Sequence, residues 1–144
     1  MPGYFYCAFD PKKKCPGRSV GIHDGDWWEL TALVGRLRDA AADGEPIAGG
    51  LKVPTSKQVD ALPSFDPEQF LLLGEDADWK LFGSAEEESG PSRWCSPTVL
   101  ARHEKAMRAV DGCIPLAERA PWQRYLDAVT KLVARKQGLY CSTD

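Results

Sequence analysis

Apolar positions along this chain of 144 residues fall into three stretches at helical spacing, set between short aromatic runs near the two ends. The opening run Gly3-Tyr4-Phe5-Tyr6-Cys7-Ala8-Phe9 is short, aromatic-rich and stopped by Asp10-Pro11, which predicts a strand. Residues 10–25 carry Lys12-Lys13-Lys14, prolines and glycines, and read as a loop with solvated lysines. The clearest helix is predicted over Asp26–Ala42, where Trp27, Leu30, Val34, Leu37 and Ala41 form an apolar stripe. Asp26 is placed to cap its first turn, with Glu29 completing a capping box, and loss of that cap is expected to cost about 1 kcal/mol. Gly44 and Pro46 supply the stop.

Between Glu45 and Pro67 the pattern is broken by Pro46, Gly49, Gly50, Pro54 and Pro63. That leaves room for a short strand at Leu51–Val53 and a turn of helix from Ser56 to Leu62. Asp66-Pro67-Glu68-Gln69 is a second helix-start signature, followed by Phe70–Leu73, which periodicity leaves open between helix and strand. Trp79, Leu81 and Phe82 alternate like a strand edge, and Ser84–Ser92 reads as a surface loop. A further helix is expected after the Ser96 cap and Pro97, with Val99, Leu100, His103, Ala106, Met107 and Val110 on its apolar face and Gly112 at its end. The last runs over Pro121–Gln137 on Trp122, Tyr125, Leu126, Val129, Leu132 and Val133. Lys131, Arg135 and Lys136 complement its dipole, Gly138 terminates it, and Leu139-Tyr140-Cys141 forms a closing strand. The expectation is one α+β domain over 1–144: a small, mostly antiparallel sheet with its first and last strands paired, packed with about three amphipathic helices.

Composition adds little: 43% hydrophobic and 27% charged residues describe an ordinary globular chain, and the net charge of −3 gives no reason to expect nucleic acid as a partner. No apolar run reaches the roughly 18 residues of a membrane span, and the N-terminus lacks a basic-then-apolar leader, so a cytoplasmic protein is expected. The distribution of charge says more. Between Asp60 and Gly90 nine acids face one base, whereas Pro91–Gln137 holds nine bases and four acids. An acidic segment of this kind steers a basic partner.

Candidate chemistry is sparse. Five cysteines and two histidines, with no CxxC pair, do not give the close ligand pairs of a structural zinc site, so no metal or other cofactor is expected. Cys95 precedes a helix start, where orphan N–H groups lower a thiol pKa, and Arg93 is close in sequence. A small thiol enzyme using Cys95 with His103 or His23 is therefore the alternative, although His103 lies about 9 Å along the helix. Asp76 begins a weak calcium-loop pattern that lacks its turn glycine, Leu81 standing in that place. Trp27 and Trp28 are adjacent on a helix, so they point about 100° apart; Trp27 joins the stripe, and Trp28 is a candidate for a protein contact.

The order of these features resembles the YfbM-like group, a bacterial family of small proteins of unknown function. The resemblance rests on the Met-x-Gly start and aromatic strand, Asp26-Trp27-Trp28-Glu29-Leu30, Ile47-Ala48-Gly49-Gly50, Ser96-Pro97-Thr98-Val99-Leu100 and Gly138-Leu139-Tyr140. Lys12-Lys13-Lys14 falls outside it. It implies an α+β fold and no catalytic residues. The leading expectation is a non-enzymatic inhibitor that binds another protein, as an immunity protein binds a basic toxin domain. Its contact residues would be Trp28, Glu75, Asp76, Asp78, Glu86, Glu87 and Glu88. A phage or host anti-defence inhibitor shares the same mechanism with a different target.

Overall fold

The N-terminal aromatic run forms β1 (Tyr4–Asp10), and the closing run forms β5 (Gly138–Thr143). In this computed structural model, which describes residues 4–12, 15–22, 24–65, 75–76 and 92–143, the two strands pair antiparallel from Tyr4↔Thr143 to Phe9↔Gly138. Three more strands complete the sheet: β2 (Cys15–Ser19), β3 (Glu75–Asp76) and β4 (Ser92–Cys95). The order is β2-β1-β5-β4-β3, every pair antiparallel. The fold is α+β, as expected.

β2 occupies the stretch expected to be a loop. Pro16 and Gly17 hide it from pattern reading, and both are tolerated because β2 is an edge strand, where a missing N–H need not face a neighbour. The strand expected at Leu51–Val53 is absent. Only Lys52 N–H reaches a carbonyl across the fold, that of Gly112 at 3.0 Å, and a single bond makes no ladder. The readings for 66–74 and 77–91 lie outside the described residues.

Among the described residues the helices are α1 (Asp24–Asp43), α2 (Ser56–Asp60), α3 (Pro97–Ala109) and α4 (Arg119–Ala134); α3 and α4 pack on β5, and α2 packs on α1 and α3. α2 opens with a capping box, Thr55 Oγ1 accepting from Gln58 N–H and Gln58 Oε1 accepting from Thr55 N–H. Ser96 caps α3 as expected, its Oγ accepting from Val99 N–H at 3.3 Å. That helix stops at Ala109, and a 3₁₀ turn at Asp111–Cys113 begins before the expected glycine stop. α1 ends at Gly44, whose φ of 68° is the left-handed conformation a helix stop requires. α4 ends instead on Lys136, at φ 56°, with Gln137 N–H bonded to Leu132 O at 2.9 Å. Gly138, expected as that terminator, is thereby released to start β5. No helix among the described residues is long and apolar enough to cross a membrane.

One buried cluster joins α1, α3, α4 and the sheet. Tyr6, Trp27, Phe65, Trp122 and Tyr125 meet ring to ring within it, the tightest pair being Phe65 and Tyr125 at 5.2 Å, edge to face. The pleat sends Tyr6, Ala8 and Leu139 into this cluster and turns Phe9 and Tyr140 to a separate stacked pair.

Candidate functional site

α1 buries Trp27, Leu30, Leu33, Leu37 and Ala40, so the stripe is rotated from the expected one, leaving Val34 and Ala41 at its margin. Leu37 marks its middle. Nine residues at 100° each set Trp28 half a turn away, and Trp28 is 80% exposed while Trp27 is 1% exposed. The helix that anchors the aromatic core therefore carries an unburied tryptophan next to a fully buried one.

Asp26 is not the cap of α1. The helix starts two residues earlier, and the Asp26 carboxylate, 5% exposed, takes two bonds from Arg124 on α4: Nε to Oδ2 at 2.9 Å and Nη2 to Oδ1 at 2.6 Å. These bonds raise the Arg124 pKa further, against the effect of burial. An acid in the first turn still complements the dipole, but its main role is to tie α1 to α4.

A second knot sits at the α3–α4 corner. Asp111 Oδ1 accepts from Arg119 Nη1 at 2.7 Å and from Trp122 Nε1 at 3.0 Å, and Asp111 O accepts from Arg119 Nη2 at 2.9 Å. Burial pushes the Asp111 carboxyl up, but the bonds from Arg119 and Trp122 and the nearby guanidinium charges outweigh it and hold the group below its ordinary value. The completely buried Trp122 thus keeps its one polar atom satisfied.

Two residues of the thiol alternative, Cys95 and His103, are among those described. Cys95 ends β4 opposite Leu139 and is only 4% exposed. His103 Nδ1 lies 3.4 Å from Tyr125 Oη, and burial, reinforced by Arg102, lowers the His103 pKa to about 4. Burial and then the neighbouring Cys95 push the Tyr125 phenol up, so a protonated phenol faces a neutral imidazole at pH 7. His103 lies against Tyr125, and its lowered pKa makes it a weak base toward a thiol. His23 lies outside the described residues. The thiols of Cys7 and Cys113 are also pushed up by burial, for Cys113 against the pull of Lys52. Among the described residues no three His, Cys, Asp or Glu side chains gather as a metal would require.

Of the acidic contact residues, Glu75 and Asp76 form β3, paired with Trp94 and Arg93 at the far edge of the sheet. Asp78, Glu86, Glu87 and Glu88 lie outside the described residues.

A cleft of about 740 Å³ opens between β2 and α4, a place that sequence reading did not single out. Arg18 and Ser19 stand on the strand side, Arg124, Lys131 and Arg135 on the helix side, with Ala8, Val20, Ala128 and Leu132 as apolar lining. The signal available in the sequence was the spacing 124, 128, 131, 135, which is one face of a helix. Sequence reading took Lys131 and Arg135 as a complement to the helix dipole and counted them with Arg124 among the nine bases of 91–137, without placing them on one wall of a cleft. Comparisons with protein-family models, curated proteins and solved structures each return no match for this chain.

Proposed function

We propose that this chain is a non-enzymatic protein that binds and blocks another protein, with the α1 surface around Trp28 as its contact. The observation that carries this reading is the 80% exposure of Trp28, with Glu29, Thr31 and Ala32 also exposed around it. Tryptophan is among the residue types that most often dominate binding energy at interfaces, and solvent gives this one no reason to be there. The closed position of Cys95 and the neutral, engaged His103 favour binding over thiol chemistry. In its finer form the proposal is an immunity protein that neutralises a toxin, the acidic 75–88 segment steering a basic target. Membership of the YfbM-like group belongs to the same proposal, as does a cytoplasmic setting, which the free thiols of Cys7, Cys95 and Cys113 support.

A photo-crosslinking residue at position 28, introduced in the source cells, tests the contact. One protein is expected to be captured there and not by the same residue at the exposed Arg38, and its activity should fall when this chain is added. Equal capture at both positions sinks the Trp28 surface, and undiminished activity of the captured protein sinks the inhibitor reading.

A further inference from the structure

We infer that the cleft between β2 and α4 is a binding site for a compact polyanion, a small molecule carrying two or more phosphoryl groups. Its residues are distinct from the Trp28 surface, and the inference does not depend on that reading.

Charge accounting carries the argument. Among the described residues four bases line the cleft, Arg18, Arg124, Lys131 and Arg135, against one acid, Asp127. Arg124 is consumed by its two bonds to Asp26. Asp127 accepts from Gln123 Nε2 at 2.8 Å and pairs with none of the four. Arg18, Lys131 and Arg135 take part in no ion pair among the described residues, so three cations converge on one concavity with a single carboxylate to offset them. Outside the cleft Arg36, Arg108 and Arg119 find carboxylates, while Arg38 and Lys105 are exposed without an ion pair among the described residues; what sets Arg18, Lys131 and Arg135 apart is that they share one concavity. A charged cleft with low-dielectric walls concentrates its field outward, and an anion entering it gains what the protein leaves unspent.

The geometry selects the class of anion. Lys131 and Arg135 are one helical turn apart, with Cβ atoms roughly 5–6 Å from each other, and Arg18 stands on the opposite wall. Anionic groups at two or more points of one ligand can engage all three, whereas a single small anion leaves part of the set idle. The two guanidinium forks suit the paired oxygens of a phosphoryl group, and Lys131 adds a point charge. A volume of about 740 Å³ is the size of a small-molecule site. Among the described residues the lining contains no aromatic ring on which a base could stack, which argues against a nucleic-acid strand. Gly17 and Gly21 also line the cleft, where they add no side chain, and Ser19 adds a hydroxyl on the strand side.

Calorimetric titration of the full chain with tripolyphosphate at low salt tests this. Saturable binding at one site is expected, weakening as salt rises. Arg18→Gln, Lys131→Gln and Arg135→Gln should each reduce affinity about tenfold, the loss of one charge-assisted contact, without shifting the melting temperature. Lys105→Gln and Arg38→Gln, which remove exposed charges outside the cleft, should leave affinity unchanged. Absence of saturable binding overturns the proposal, as does an equal loss in the two control variants. Tighter binding of a glutamate-rich peptide or a single-stranded DNA oligomer than of tripolyphosphate overturns the assignment to a compact phosphorylated ligand.

Discussion

The two halves of α4 use the same residue types for opposite ends. In the first half Arg119 and Arg124 are locked to Asp111 and Asp26, and the helix surface between them carries Trp122 and Tyr125 into the aromatic cluster. In the second half and at its cap, Lys131 and Arg135 find no carboxylate among the described residues and face a cleft instead. An arginine whose bonds are all made inside the protein serves the fold, while one left over on a concave wall is available to a ligand. The difference lies in where the acids are, since Asp26 and Asp111 both serve the first half and, among the described residues, Asp127 alone lines the cleft beside the second.

The largest expected effect tests the first half. Asp111→Ala removes the acceptor of Arg119 and leaves the N–H of a fully buried Trp122 without its partner, at a cost of about 3 kcal/mol in chemical denaturation. Asp111→Asn keeps an oxygen acceptor at the same place and should recover about half of that loss. If Asp111→Ala unfolds at the wild-type denaturant midpoint, the corner is not what holds this half of α4.

Acid should expose a second feature of the same half. His103, beside Tyr125, has a folded pKa of about 4, below the ordinary 6.5. Its folded form therefore prefers the neutral ring, and the stability this represents is fully present above pH 6.5 and lost as pH falls from about 6.5 to about 4. Its size is roughly 2 kcal/mol once the partial exposure of the ring is allowed for. His103→Gln is expected to flatten the melting temperature between pH 6.5 and 4.5, where the wild type declines; parallel declines would remove His103 as the cause. Asp111 acts in the same sense at lower pH. Its carboxyl is held below the ordinary range, so its contribution is present above the unfolded carboxylate pKa and disappears as pH falls through the folded one.

The contrast also marks what could be read from the chain alone. Apolar spacing revealed α1, α3 and α4, because a helix states its buried face within a few turns of its own sequence. It missed β2, whose Pro16 and Gly17 make sense only at a sheet edge, and it missed β3 and β4, whose partners are far away in sequence. Asp26 looked like a cap because its actual partner stands 98 residues later. Half of the cleft was visible as the 124, 131, 135 spacing on α4, but the wall bearing Arg18 is brought there only by the pairing of β1 with β5 and β2. Trp28 was legible as a candidate, whereas its full exposure followed from a stripe centred on Leu37 that the structure rotates away from it.

The end of α4 provides a smaller test. Lys136 holds the left-handed conformation that closes the helix, at φ 56°, which costs a side-chain-bearing residue about 1 kcal/mol. Lys136→Gly relieves that strain and gives back part of it as extra freedom in the unfolded chain, so a net gain of about 0.5 kcal/mol is expected from thermal melts. A loss of stability would show that the Lys136 side chain, and not the backbone, sets how the second half ends.

The smallest stability effect is the one that bears most on function. Lys131→Gln and Arg135→Gln remove charges that no carboxylate answers among the described residues, so each should change stability by less than about 0.5 kcal/mol, and the double variant is expected to be near neutral, relief of repulsion along one helix turn offsetting the lost contact with the helix dipole. If their favourable contact with the helix dipole and their mutual repulsion at i and i+4 nearly cancel, these cations serve the cleft more than the fold. A loss above 1 kcal/mol in either single variant would mean that these side chains hold the structure together, and the two halves of α4 would then not differ in kind.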